Sequence, residues 1–265
     1  MGIPLWQVLV FGWLAMAAMQ LVLWLVQRAR RDAGIVDAGW AFGLAALAVW
    51  YAVAADGDAT RRVVVGVLGG VWGLRLAAYL FTNRVLGSEE DGRYQMLRER
   101  WGDQAQLWFF IFFQVQATWS VMFSIPFLVV ALSPVPALTG WDVAGIAVWL
   151  VAVGGETLAD TQLARWRADP ANKGKTCRAG LWRYSRHPNY FFEWTHWWAY
   201  VLLAVGYGWG WVALSGPVVM LVFLYKITGI PYTEMRAIAS RGDDYRAYQR
   251  TTSAFVPWFP KREAP

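Results

Sequence analysis

Arg186-His187-Pro188-Asn189-Tyr190 closes a run of basic residues and opens directly into Phe191-Phe192-Glu193-Trp194, where a carboxylate sits among aromatic rings. Asn189 and Glu193 are four apart, so on a helix they share a face, and His196 follows three residues later. Upstream, Asp160 and Arg167 are seven apart and share a face if their helix continues past the bilayer, with Arg165 displaced from them. The chain then passes through Asp169-Pro170, Asn172-Lys173-Gly174-Lys175 and Gly180-Leu181-Trp182. A loop that only sets topology needs charge alone. This one mixes guanidinium forks, rings and glycines, as a surface for a phosphorylated, ring-bearing ligand would. The plainer readings are a basic anchor loop, a Glu193-arginine bridge that locks helices, and a His196 that hydrogen-bonds between them. Two histidines and one cysteine, Cys177, make a poor metal shell and exclude an intramolecular disulfide.

A second polar set lies nearer the N-terminus. Asp37 opens one apolar stretch, Arg75 and Tyr79 lie four apart in the next, and Gln114, Gln116, Thr118 and Ser120 line another. A cation and a phenol one turn apart can orient a proton donor toward a cavity. An Asp37-Arg75 ion pair between helices is the simpler alternative, and both can hold.

Composition says what must carry these groups. Hydrophobic residues make up 57% of the 265 and charged ones 16%, a balance beyond the needs of a soluble domain. Mean hydropathy is +0.32. Apolar runs near the length of a membrane span cover Leu5 to Val26, Ile35 to Ala55, Val63 to Phe81, Leu107 to Leu132, Trp141 to Leu158, Tyr190 to Val205 and Trp211 to Ile227. Lipid satisfies no backbone group, and continuous apolar runs do not suit a barrel of alternating strands, so each run predicts a helix. The expected fold is an all-α integral membrane protein of seven transmembrane helices.

The basic residues orient it. Three fall in Gln27 to Gly34, four in Thr82 to Gln106, seven in Ala159 to Asn189 and seven after Leu224; only Arg61 and Arg62 lie in the opposite connections, and Arg75 is inside a span. The positive-inside rule then predicts an outside N-terminus and a cytoplasmic C-terminus. The first run is expected to be a retained helix, since its basic cluster follows the apolar stretch where a cleaved signal would carry it in front. Residues 1–265 read as a single domain.

The motifs together resemble the steroid 5α-reductases and their bacterial relatives. The resemblance rests on Asp160, Arg165 and Arg167, Lys173-Gly174-Lys175, Gly180-Leu181-Trp182-Arg183-Tyr184, Arg186-His187-Pro188-Asn189-Tyr190 with Glu193, and Asp244-Tyr245-Arg246-Ala247-Tyr248 before Phe255-Val256-Pro257-Trp258. Ile35-Val36-Asp37 and Asp91-Gly92-Arg93-Tyr94 look like the bacterial branch. The Arg-His-Pro-x-Tyr segment is shared with sterol double-bond reductases and membrane isoprenylcysteine methyltransferases. The resemblance implies a reductase that binds NADPH in its C-terminal half, roughly 133–265, and takes a lipid in roughly 1–132. Asp160, Arg167, Arg178, Tyr184, Asn189, Glu193 and Tyr245 fall on its cofactor-contact positions, joined by Lys173, Arg186, His187 and Tyr190 of the matching segments. Asp37 and Tyr79 take the places of its catalytic acid pair.

The implied reaction is hydride transfer to the conjugated C=C bond of a 3-oxo-Δ4 steroid or other enone lipid. Negative charge would build on the carbonyl oxygen, where a donor such as Tyr79, supported by Asp37, would stabilise the enolate. There is no strand-Gly-x-Gly-x-x-Gly-helix signature, so side chains from cytoplasmic loops would have to hold the dinucleotide. The expected location is a bacterial inner membrane with the cofactor site on the cytoplasmic face, in contact with membrane lipid and with neither nucleic acid nor an obligate protein partner. An S-adenosylmethionine-dependent methyltransferase is the rival enzyme, although seven basic residues in one connection suit a ligand with three phosphates better. A scaffold or lipid-binding subunit is the non-enzymatic alternative.

Overall fold

The computed structural model describes residues 3–86, 89–227 and 229–261; Arg262, one of the tail cations counted above, lies outside them. Every regular element among the described residues is helical, and six stretches are long and apolar enough to cross a membrane: Leu5–Arg30, Ile35–Ala54, Ala59–Asn83, Gly92–Leu132, Gly140–Ala168 and Gly210–Arg241. The chain divides into two compact units, Met1–Thr139 with Ala204–Ala213, and Gly140–Leu203 with Leu214–Pro265.

The first unit holds α1 (Leu5–Arg30), α2 (Ile35–Ala54), α3 (Ala59–Arg84), α4 (Gly92–Trp101), α5 (Ala105–Phe123) and α6 (Ile125–Leu132). Helix α1 stops where Arg31 turns left-handed at φ 56° and returns its N–H to the Gln27 carbonyl, with Arg28 and Arg30 favourably placed in the negative last turn. Helices α2 and α3 approach closely because α3 offers glycines: a Cβ on Gly73 would come within 2.8 Å of the Ala41 carbonyl oxygen. Lipid gives apolar helices little reason to associate, so close backbone packing of this kind must supply it. Asp91 begins α4 by accepting the Arg93 N–H at 2.9 Å. The apolar run expected from Leu107 to Leu132 is broken in two at Ser124, with Pro126 in the first turn of α6.

The two arginines that depart from the charge pattern have local uses. Arg61, 1% exposed, donates from Nε to the Val135 carbonyl at 2.6 Å, and Arg62 donates to the Ala55 carbonyl. They fasten the ends of two connections, the one after α6 and the one after α2.

The second unit holds α7 (Gly140–Ala168), α8 (Pro188–Leu203), α9 (Ser215–Val222), α10 (Ile230–Arg241) and α11 (Asp243–Thr251). Helix α7 does run on beyond its apolar stretch; its 29 residues extend about 43 Å, against a hydrocarbon core of about 30 Å. It packs on α8 through Gly155, where a Cβ would lie 2.5 Å from the Phe192 ring. Helix α8 has 16 residues, about 24 Å, and so falls short of a full span by length. The last apolar run is not one α-helix either: α9 gives way to a π-helical turn at Phe223–Ile227 before α10 starts at Ile230.

Candidate functional site

In the second unit the chain brings Asp160 and Asn189 together. Pro188 opens α8, a position that costs no helical hydrogen bond, and Asn189 turns its Oδ1 back to the Tyr190 N–H at 3.0 Å. Its Nδ2 then donates to Asp160 Oδ1 on α7 at 3.2 Å. One turn on, Glu193 is 8% exposed and accepts from Trp197 Nε1 at 3.2 Å. His196, fully buried, shares a hydrogen bond with Tyr200 OH at 3.1 Å, one turn along the same helix.

The cations sort into two groups. Arg167, in the last turn of α7, and Lys173, beside a Gly174 at φ 77°, are exposed and make no ion pair among the described residues. Arg178 instead donates from Nη2 to Asp244 Oδ1 and to the Asp244 carbonyl, both at 2.8 Å. Arg186 donates from Nε to Glu234 Oε1 at 2.6 Å and from Nη1 to the carbonyls of Thr252 at 2.6 Å and Gln249 at 3.1 Å. His187 reaches the same Glu234 oxygen at 3.3 Å and stacks on Tyr190 with centroids 5.2 Å apart. Burial pulls its pKa below the ordinary 6.5 against the opposing pull of Glu234, so the ring is neutral and its proton sits on Nε2. Tyr190 OH pairs with Thr233 Oγ1 at 3.1 Å, and Tyr245 OH donates to Glu234 at 3.4 Å. Tyr184 holds the tail by its carbonyl, which accepts the Trp258 N–H at 2.9 Å, and by its ring against Phe259.

Asp244 has a second duty, accepting the Thr176 N–H at 2.7 Å. Burial would raise its pKa, but those bonds and the Arg178 charge win and hold it below the usual carboxylate value. The neighbouring Cys177 thiol is pushed up by burial, against the charges of Arg167 and Arg241. Tyr248 OH donates to the Trp182 carbonyl and to the Ser185 carbonyl. The 176–186 loop is thereby fastened to α11.

In the first unit, Asp37 is gripped from the start of α4. Tyr94 OH donates to Oδ1 and Arg93 Nη2 to Oδ2, each at 2.7 Å, while Arg93 Nε bonds Asp91 Oδ1 at 3.1 Å. Tyr94 is 3% exposed and packs with Ala33, Val36, Phe109 and Phe113. Tyr79 lies against the Ala38, Ala41 and Leu80 cluster, next to the helix that carries Asp37.

A family model described as a protein of unknown function, DUF1295, matches residues 23–252. The chain belongs to that family. The match takes in both units and reaches from Asp37 to Tyr245, so every candidate residue of this DUF1295 member lies within it. No curated protein and no solved structure matches the chain.

Glu234 is the residue that sequence reading passed over. Its signal was available: an acid just past the last apolar run, ahead of the Asp244-Tyr245 segment that the resemblance singles out. Arg93 and Tyr94 were noted only for their likeness to a family segment, and their grip on Asp37 spans 56 and 57 residues.

Proposed function

We propose that this protein is a steroid 5α-reductase-like membrane oxidoreductase that uses NADPH to reduce the conjugated C=C bond of a steroid-like 3-oxo-Δ4 lipid. In this reading the chain crosses a bacterial inner membrane seven times, with the N-terminus outside and the cofactor site facing the cytoplasm. Its 16-residue α8 counts as the sixth crossing, because an odd number keeps the basic connections on one side. The observation that carries the reading is the arrangement at the mouth of α8. A polar row of Asp160, Asn189 and Glu193 lies in the same unit as the exposed Arg167 and Lys173, which make no ion pair among the described residues. The donor set fits NADPH: exposed cations suit its phosphates, and an acid-amide row of buried Asp160 and Glu193 with half-buried Asn189 suits a neutral, hydrogen-bonding ring or sugar.

NADPH, when bound, supplies the hydride. Arg167 and Lys173 hold phosphate charge, and Asp160, Asn189 and Glu193 orient by hydrogen bonds. In the first unit Arg93 and Tyr94 hold the Asp37 carboxyl in place, one donating to each of its oxygens. Tyr79 then serves as the proton donor to the developing enolate oxygen, with Asp37 on the neighbouring helix as the second member of the pair.

One observation favours the rival. Arg178 spends its charge on Asp244 and Arg186 shares its own with Glu234 through Nε, which leaves less positive charge for a ligand with three phosphates than the loop sequence promises. S-adenosylmethionine, which has no phosphate, would be content with that. Thermal melting of the purified protein in detergent separates the two, because a ligand of the native state alone must raise the melting point. Stabilisation by NADPH is expected; stabilisation by S-adenosylmethionine only would make the protein a methyltransferase of the isoprenylcysteine type.

A further inference from the structure

One carboxylate organises the place where the Arg186-His187 turn meets the last two helices. Glu234 Oε1 accepts from Arg186 Nε at 2.6 Å, His187 Nε2 at 3.3 Å and Tyr245 OH at 3.4 Å, and its Oε2 accepts from Gln249 Nε2 at 2.8 Å. The Arg186 and Glu234 side chains are 11% and 15% exposed, so water competes little for the pair. Arg186 is held at two of its three nitrogens, Nε by the carboxylate and Nη1 by two backbone carbonyls. Its third nitrogen, Nη2, has no hydrogen bond among the described residues. A planar guanidinium pinned at two corners cannot swing, so the direction of the remaining N–H groups is set before any ligand arrives.

A fastener alone would have no use for that unspent edge. The next residue, His187, stacked on Tyr190 and bonded to the same carboxylate, adds a hydrogen-bonding ring. We propose that Glu234 is a positioning residue of the cofactor site: it fixes Arg186 so that Nη2 meets the pyrophosphate, the group NADPH and NADH share. This rests on the NADPH reading above. Arg167 separates the two cofactors by the 2′-phosphate; Glu234, acting through Arg186, serves both alike.

The test titrates wild type, E234Q and Q249A with NADPH and with NADH, taking a dissociation constant from concentration-dependent thermal stabilisation. In E234Q both cofactors should weaken by about tenfold, which is 1.4 kcal/mol, with their ratio unchanged. Q249A keeps the carboxylate charge and removes one orienting donor, so it should lose about two- to threefold, and it decides the matter if E234Q does not fold. A purely structural Glu234 would lower the melting point of the free protein and leave both constants alone. Wild-type affinity in the variants therefore overturns the role of Glu234 while the NADPH reading stands. A shifted NADPH-to-NADH ratio in E234Q overturns it as well, because the effect would then lie at the 2′-phosphate. If wild type itself does not saturate with NADPH, the reductase reading falls and takes this role with it.

Discussion

Asp37 and Glu234 are both carboxylates that accept from an arginine and a tyrosine, yet they are built differently. Asp37 accepts from the adjacent Arg93 and Tyr94 at one helix start. The donors to Glu234 come from the 186–187 turn and from two turns of α11, so the carboxylate ties together pieces of backbone that otherwise lack a common element. Beside Asp37 the apolar cluster of Val36, Tyr94, Phe109 and Phe113 keeps the packing when the carboxyl alone is altered. A carboxylate that joins several segments cannot be disturbed without touching the fold. Function and stability should therefore separate at Asp37 and move together at Glu234.

The sharpest break of that contrast is D37N, expected to lower turnover of a Δ4-3-ketosteroid by about 100-fold or more while melting changes little. An equal loss of melting point and turnover would make Asp37 a fastener too. Next comes Y79F, for which a fall of roughly tenfold or more in turnover is expected with the NADPH dissociation constant nearly intact. Lost NADPH binding in Y79F would contradict its place as proton donor. R167A should cost NADPH about tenfold in affinity and NADH almost nothing, since one charge-assisted phosphate contact is removed. Equal losses would take Arg167 away from the 2′-phosphate.

The smallest effect is with pH. The native pKa of His187 is held down chiefly by burial, so between that value and 6.5 the unfolded chain binds the extra proton. The stabilisation is complete above about pH 6.5 and is lost as pH falls through the native pKa. Asp244, also depressed, adds a loss of the same sign further into acid, below its ordinary 3.8. Thermal melting at pH 7.5 and pH 5.5 should show the lower melting point in acid, and H187Q should flatten that difference. A melting point that rises toward pH 5.5 would mean that His187 is held charged.

Helical class and apolar runs were legible because lipid leaves the backbone one economical solution and charge counts mark the connections. The continuation of α7 past its apolar stretch was legible from the spacing of Asp160 and Arg167, and α7 does run to Ala168. The break at Ser124 and the π-helical turn at Phe223–Ile227 were not, since both lie inside unbroken apolar sequence. At the candidate site, proximity along the chain suggested Asn189 and Glu193, which α8 does place a turn apart. Which cations stay free was hidden: Arg167 and Arg178 look alike in sequence, and only the second has Asp244 within reach.

The amino-acid sequence by itself determined a helical membrane protein with its basic residues gathered between apolar runs, because those follow from composition, run length and charge. It also marked the polar residues that lipid would tolerate only for a reason. Tertiary structure alone decided their partners. Asp37 meets Arg93 and Tyr94 across more than fifty residues, and Arg186 meets Glu234 across 48. Helical periodicity carries information over a few turns, and bonds of that reach exist only once the helices have packed.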